Sequence, residues 1–504
     1  MGGALTVGIG ITWNAGRRQA GTTGGRLSSR AVVAETFLSE PARIRGGAPL
    51  KILFFLRAAN FDRVFECLLR ELLRRGHSVS VALDVEKGST ALFDELAREY
   101  AFTYELAPVR SDRWVRWARR LRYSADYLRY LEPEFAKADA LRARAQARAP
   151  RPLRAVMALP GARSRGPRRA IRLLLRAAER RLPVPQNVRE FIAERAADVV
   201  LVSPLVGLGS SQGDYLRAAA QLGVPSVLAV ASWDNLTNKG RLRDRPSLTV
   251  VWNEAQRDEA VRLHGLDPSS VAAVGAHTWD HWFDWQPSTT RQEFALKVGL
   301  DPQQPFVLYV CSSRFIAGDE AEFIAEWLRR LRTSTDVAVR ELGVMIRPHP
   351  QNVAFWDRWE LGEEGKSVVC PRGGDAPVLG DAKRTYFDSL YHSACVVGIN
   401  TSALIEAAVV GRPVLTLITD RFRDTQGGTL HFAHLAGGEG MLTVAHSWPE
   451  HHEQLAEALA RPEAAEPRID AFLRSFVRPH GLDAPAAPRA ADAVERAAAM
   501  TRAR

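Results

Sequence analysis

Ala394 to Thr419 reads ACVVGINTSALIEAAVVGRPVLTLIT, and its pattern decides the fold. An apolar run, a polar hinge, a short helical stretch, a glycine stop and a second apolar run spell a buried strand, a helix and a second buried strand. The hinge is Asn400-Thr401-Ser402, and Glu406 follows one helical turn after Ser402. A helix start at this hinge presents unpaired backbone N–H groups and the positive end of a dipole to whatever lies beyond the strand tip. Two hydroxyls add donors, and Glu406 shares the helix face of Ser402. Two readings fit: a sugar nucleotide with its phosphates at the helix tip and its ribose on the carboxylate, or an ordinary cap followed by a surface glutamate.

The same alternation extends in both directions. Apolar runs begin at Lys51, Ser78, Thr103, Asp198, Pro225, Leu248 and Val271, and a second series at Pro305, Leu342, Ser367, Ala394, Pro413 and Met441. Helical patterns separate them, the signature of parallel α/β sheets. Helix Asp62–Arg75 is predicted to stop at Gly76. Between Asp284 and Gln304 the pattern breaks at Pro287, Ser288, Thr289, Pro302 and Pro305, which predicts a linker. The expected organisation is a disordered extension over 1–48, an N-terminal Rossmann-like acceptor domain over 49–284, a C-terminal Rossmann-like nucleotide-donor domain over 285–460, and a helical tail over 461–504. The tail is expected to pack back across the domain junction. Two such halves facing each other define a cleft.

At 504 residues the chain exceeds one hydrophobic core, and 46% apolar with 25% charged residues is a globular composition. Four scattered cysteines, with no CxxC pair, point to reduced thiols in a cytoplasmic setting. No apolar run is long enough to span a bilayer. The net charge of +11 is concentrated: Arg110–Arg181 holds 21 Arg/Lys against 6 Asp/Glu. This basic helical insertion, over about 110–190, interrupts the first half after its third strand. With Trp114, Trp117, Tyr123, Tyr127 and Leu173-Leu174-Leu175 it fits a helix pair lying on an anionic membrane, a solvated helical hairpin, or a nucleic-acid contact. No nucleic-acid module accompanies it, so nucleic acid is not expected as a partner.

Ligands in open α/β sheets bind outside the strand C-termini, and five loops there carry chemistry. After the first strand, Asn60 and Asp62 are acceptor candidates, although Asp62 also fits a helix cap. Ser232–Gly240 groups Trp233, Asp234, Asn235 and Lys239. Asp234 is the candidate general base, its pKa expected to be raised by desolvation, and Lys239 is a partner for phosphate. Ser312, Ser313 and Arg314 suit a phosphate oxygen. Arg347-Pro348-His349-Pro350 aims His349 outward as an imidazolium able to donate to a departing phosphate, with Arg347 balancing its charge. The hinge Asn400, Thr401, Ser402 with Glu406 completes the set. No DxD, HExxH, GxSxG or Walker-type pattern occurs, so no metal or cofactor is indicated.

The order of these pieces resembles the GT-B glycosyltransferases, nearest the bacterial surface and capsule polysaccharide branch that includes the CDP-glycerol glycerophosphotransferases. SWDNLTNKG from Ser232, VGAHTWDHWF from Val274, IRPHP from Ile346 and YFDSLYHSACVVGINTSALIEAAVVGRPVL from Tyr386 carry the resemblance. It implies that the first half receives the acceptor, and that His349, Thr401, Ser402 and Glu406 contact donor phosphates and ribose. Two positions depart from that branch. Trp233-Asp234-Asn235 stands where a WHGTP-like histidine is usual, which favours glycosyl over glycerol phosphate transfer. His277 stands in place of a proline.

The expected activity is metal-independent transfer of a sugar from a nucleotide-sugar donor to a surface-polysaccharide or lipid-linked acceptor, with no cofactor, in the cytoplasm or peripherally at the inner membrane face. The alternatives are a CDP-glycerol-type glycerophosphotransferase, a UDP-sugar 2-epimerase, and a non-catalytic membrane-associated binding protein.

Overall fold

The computed structural model describes residues 48–353, 356, 366–374, 377 and 380–502. The expectation for 1–48 falls, but for Ala48, outside the described residues. Among those described, thirteen strands form two sheets, and every strand falls on one of the apolar runs.

The first sheet contains β1 Lys51–Leu56, β2 Ser78–Leu83, β3 Phe102–Leu106, β4 Val199–Ser203, β5 Ser226–Ala229, β6 Leu248–Val251 and β7 Val271–Ala273. Its order is β3-β2-β1-β4-β5-β6-β7, all parallel. The second sheet contains β8 Phe306–Val310, β9 Gly343–Arg347, β10 Ser367–Val369, β11 Cys395–Gly398, β12 Val414–Leu417 and β13 Leu442–Ala445. Its order is β10-β9-β8-β11-β12-β13, again all parallel. The central strands are apolar on both faces because helices cover both sides. Each order reverses once, between β1 and β4 and between β8 and β11, and those reversals open the crevices where ligands bind.

The register sets the site. Val310 pairs with Arg347 on one side and Gly398 on the other. The loops carrying Ser312-Ser313, Pro348-His349 and Asn400-Thr401 therefore leave the second sheet side by side.

Helix Asp62–Arg74 ends as the sequence indicates: Gly76 adopts φ +84° and His77 N–H returns to Leu72 O at 3.2 Å. The predicted linker needs correction. Arg291–Val298 within it is a helix with a complete capping box between Thr290 and Glu293, and Phe294 is buried against Phe306. The T-x-x-E spacing was present to be read. The prolines around it end the flanking segments rather than the helix.

The C-terminal segment is integral to the first half. Helix Ala486–Arg502 lays Ala490, Ala491, Ala493, Val494 and Ala497 into the same core as Leu69, Phe54 and Val81. Asp280 accepts from Ala486 N–H and Ala487 N–H at 2.9 and 2.6 Å, capping this helix from a distant segment. Gly275 (φ +103°) faces it at so short a range that a Cβ there would lie 2.7 Å from the Ala486 methyl.

The insertion forms helices Val115–Arg129, Asp139–Arg148, Arg151–Ala158 and Arg165–Arg180. Tyr127 is buried and Leu175 packs inward, unlike the membrane-facing role their composition suggested. Leu173 and Leu174 are exposed, as is Trp117. No helix among the described residues is long and apolar enough to cross a membrane.

Candidate functional site: a two-chambered cleft

Two adjoining cavities of about 370 and 310 Å³ open between the halves. His349, Gln351, Thr401 and Ser402 line both and form the partition.

The first cavity is cationic. Arg63 and Lys87 reach it from the first half and Arg347 from the second, against Glu406, the single lining carboxylate among the described residues. Arg347 is buried, its guanidinium lies 4.4 Å over the Tyr386 ring, and its Nη1 is buried with no hydrogen-bond partner among the described residues. Burial pushes its pKa down. Its electrostatic partner Glu406 is already held by Tyr386, Trp279 and Arg63, so the unpartnered Nη1 favours any anion that enters. His349 sits beside it. Gln351 N–H donates to its Nδ1 at 3.1 Å, which leaves Nε2 carrying the proton. Burial, and then the Arg63 charge, lower its pKa to about 4. The imidazolium expected from sequence is therefore a neutral imidazole, still a donor through Nε2–H.

Glu406 is buried and engaged. Tyr386 Oη donates to Oε2, Trp279 Nε1 donates to Oε1 at 3.3 Å, and Arg63 Nη2 stands 3.6 Å away. Trp279 and Arg63 belong to the first half, so this carboxylate fastens the two halves together. Lys383–Glu66 at 2.7 Å and His434–Glu259 at 2.6 Å add to the same junction.

The second cavity belongs to the 232–240 loop. Asp234 accepts from Asn238 Nδ2 at 3.1 Å and Asn235 Nδ2 at 3.3 Å, and pairs with Lys239 at 3.1 Å. Burial acts against its charge, but Lys239, with smaller help from a Ser232 hydrogen bond, outweighs it and holds the carboxyl well below its usual range. The expected raised pKa is thus reversed. Trp233 Nε1 donates to Ser402 Oγ at 3.1 Å, and its ring meets His431 edge to face. His431 is buried and neutral, its pKa lowered by that burial to about 4.

The basic insertion grips this loop from behind. The buried Arg129 donates to Leu236 O and to Gly240 O (2.6 Å), Tyr130 Oη to Lys239 O (2.6 Å), and Arg144 Nη2 to Asn238 O and Oδ1 (2.9 Å). Carbonyls of four residues between 236 and 240 are thereby held by one inserted segment.

No family model matches the chain, and no curated protein does. Solved structures do. A Listeria monocytogenes protein assigned as a UDP-N-acetylglucosamine 2-epimerase superposes with TM-score 0.51 at 12% identity, over 89% of this chain and 96% of its own. A glycosyltransferase of Rickettsia africae superposes with TM-score 0.50 at 9% identity, over 89% of this chain and 98% of its own. The chain has the GT-B fold. At these identities the likeness is one of architecture.

In the GT-B cleft the candidate residues divide clearly. Asn60, Arg347, His349, Thr401, Ser402 and Glu406 meet in the first cavity, and Trp233, Asp234, Lys239, Ser313 and Asn400 meet in the second, with His349, Thr401 and Ser402 common to both. Four candidates line neither cavity. Asp62 is fully buried, accepts from Arg63 N–H at 2.6 Å, and has its pKa raised by burial to about 6. Asn235 is buried beside Asp234. Ser312 is fully buried, its Oγ accepting from Asn400 N–H at 3.2 Å and its N–H donating to Glu320 at 2.7 Å. Arg314 is exposed. Asn400 is largely structural as well: its Nδ2 donates to Thr425 O at 2.7 Å and ties down the following loop. Sequence reasoning missed Arg63, Lys87, Arg144, Tyr386 and His431. Only Tyr386, inside a quoted landmark, and Arg63, next to Asp62, carried any signal.

Proposed function

We propose that this protein is a GT-B glycosyltransferase. It moves a sugar from a nucleotide-sugar donor to a hydroxyl of a surface-polysaccharide or lipid-linked acceptor. The buried Arg347 on the wall of the first cavity, its Nη1 without a hydrogen-bond partner among the described residues, carries this reading: it suits a nucleoside diphosphate, with His349 Nε2–H as a second donor and Arg63 and Lys87 as further positive charge. Metal independence follows from that supply of fixed cations.

The acceptor hydroxyl enters from the Asp234 side. Its oxygen bonds to the anomeric carbon, the bond from that carbon to the diphosphate oxygen breaks, and the electron pair leaves with the nucleoside diphosphate. The proton passes to Asp234. With its pKa depressed by Lys239, Asp234 is a weak base, so it takes the proton only as attack makes the hydroxyl acidic. Closure across Trp233–Ser402 keeps water from the donor.

UDP-sugar 2-epimerisation, the activity in the Listeria neighbour's name, is the second reading. It needs groups to remove and return the C2 proton. Among the described residues lining the two cavities Asp234 and Glu406 are the only carboxylates, and Glu406 is held by Tyr386 and Trp279. Transfer is therefore favoured. The exposed Leu173, Leu174 and Trp117 amid the arginines of the insertion support peripheral docking at the inner face of the cytoplasmic membrane.

A thermal-shift panel of UDP, CDP, CMP, GDP and dTDP identifies the donor base, since a ligand stabilises according to its affinity. Turnover of the matching nucleotide sugar only with a hydroxyl acceptor supports transfer. Interconversion without acceptor establishes epimerisation, CDP-glycerol consumption establishes phosphotransfer, and nucleotide binding without turnover of any of these establishes a binding protein.

A further inference from the structure

The second cavity holds more positive charge than an uncharged acceptor needs. Arg144 projects into it from the insertion helix Asp139–Arg148 and lies 4.2 Å over the Phe315 ring of the opposite half. It donates to Asn238, its Nε is buried without a partner, and no carboxylate among the described residues lies within ion-pair distance of it. The other lining cation, Lys239, already shares Asp234, the single lining carboxylate among the described residues. His349 and His431 add no negative charge. Asp234 acts on Arg144 through space as well, so two lining cations share one carboxylate and a net positive charge remains in a partly desolvated wall beside the candidate base. Hydroxyl recognition alone is served by the amides and hydroxyls already present and calls for no such charge.

We infer that the acceptor carries an anionic group, a phosphate ester or a carboxylate, close to the hydroxyl that reacts, and that Arg144 with Lys239 recognises it. The inference rests on the transferase reading above and adds the acceptor's chemical class. The first cavity has its own three cations for the donor diphosphate, so the charge on the Asp234 side is available to a second ligand. Held by Asn238 and stacked on the Phe315 ring, this guanidinium is fixed in direction, which a flexible lysine reproduces only in part. The insertion then has a direct part in specificity: it both grips the loop bearing Asp234 and supplies the acceptor's counter-charge.

Isothermal titration into the full chain, saturated with the best-stabilising nucleoside diphosphate, tests this with glucose 1-phosphate, glucuronate, glucose and monomeric dihexanoyl phosphatidic acid as probes. Anionic probes are expected to bind at least tenfold more tightly than glucose. Preference for glucose 1-phosphate or glucuronate places the charge on a sugar, and preference for the lipid phosphate places it on a lipid carrier. Arg144→Gln is expected to lose most of the preference and Arg144→Lys to keep part of it, with the nucleotide-induced thermal shift reporting that each variant is folded. Equal binding of glucose and the anions, or an undiminished preference in Arg144→Gln, overturns the inference while leaving glycosyl transfer intact. If no nucleotide stabilises the chain, the transferase reading fails and takes this inference with it.

Discussion

The indole N–H of Trp233, on the first half, donates to the hydroxyl of Ser402, on the second, across 3.1 Å. A residue beside the candidate base is therefore joined to the residue that opens the helix at the donor cavity. Trp233→Phe keeps most of the ring and removes this one bond. A bond worth about 1 kcal/mol shifts the closed state by about fivefold. Turnover is expected to fall by about that factor with the nucleotide thermal shift largely retained, and loss of the shift instead would place Trp233 in donor binding.

Arg347 sets stability against function. Its buried Nη1 has no hydrogen-bond partner among the described residues, so the fold carries an unsatisfied cationic donor. Arg347→Met fills the same space without it and is expected to raise the melting temperature of the ligand-free protein. The same variant is expected to lose about 10²-fold in nucleotide affinity, the size of effect seen when a charge stabiliser is removed. A variant less stable than the parent that still binds nucleotide would contradict both halves of this expectation.

His349→Ala is expected to cut turnover about 10²-fold or more. Because burial lowers its pKa to about 4, His349 stays neutral from pH 6 to 8. NMR titration of its ring should show no protonation there without ligand, and an upward shift once a nucleoside diphosphate brings negative charge nearby. Near-normal turnover in the alanine variant removes His349 from the reaction.

Glu320 gives a pH signature in stability. It is fully buried beneath the Ser312 loop, accepts from Ser312 N–H at 2.7 Å and Tyr309 Oη at 3.2 Å, and burial raises its pKa to about 8. The folded state then holds this proton more tightly than the unfolded chain between pH 4.5 and 8. Its contribution to stability is therefore greatest below that window and declines as pH rises through it. Glu320→Gln is expected to flatten this decline, read as the change in urea midpoint between pH 5 and pH 8.5. An unchanged slope would assign the proton elsewhere.

The strands were legible because parallel strands buried on both faces leave continuous apolar runs, as in Phe306–Val310 and Cys395–Gly398. Helix Arg291–Val298 was not, because neighbouring prolines masked its capping box. At the site, local sequence located the strand-end loops bearing His349 and Thr401 but not what faces them. Glu406 read as a free ribose ligand, yet its Trp279 partner lies 127 residues away. Asp234 read as a desolvated base, and only the folded loop brings Lys239 onto it. Arg144 was one arginine among many in the basic insertion, 94 residues from the Asn238 that it holds. Charge balance in a cleft depends on such distant meetings.

The closing helix Ala486–Arg502 has a consequence for biogenesis. During synthesis the strands of the first lobe emerge early, yet the alanines that seal its core emerge only after the strands of both sheets. The second lobe, whose core is complete by Val477, is free to fold while its neighbour still shows Phe54, Leu69 and Val81 to solvent or to a chaperone. A premature stop before Ala486 would therefore damage the half made first and spare the half made later.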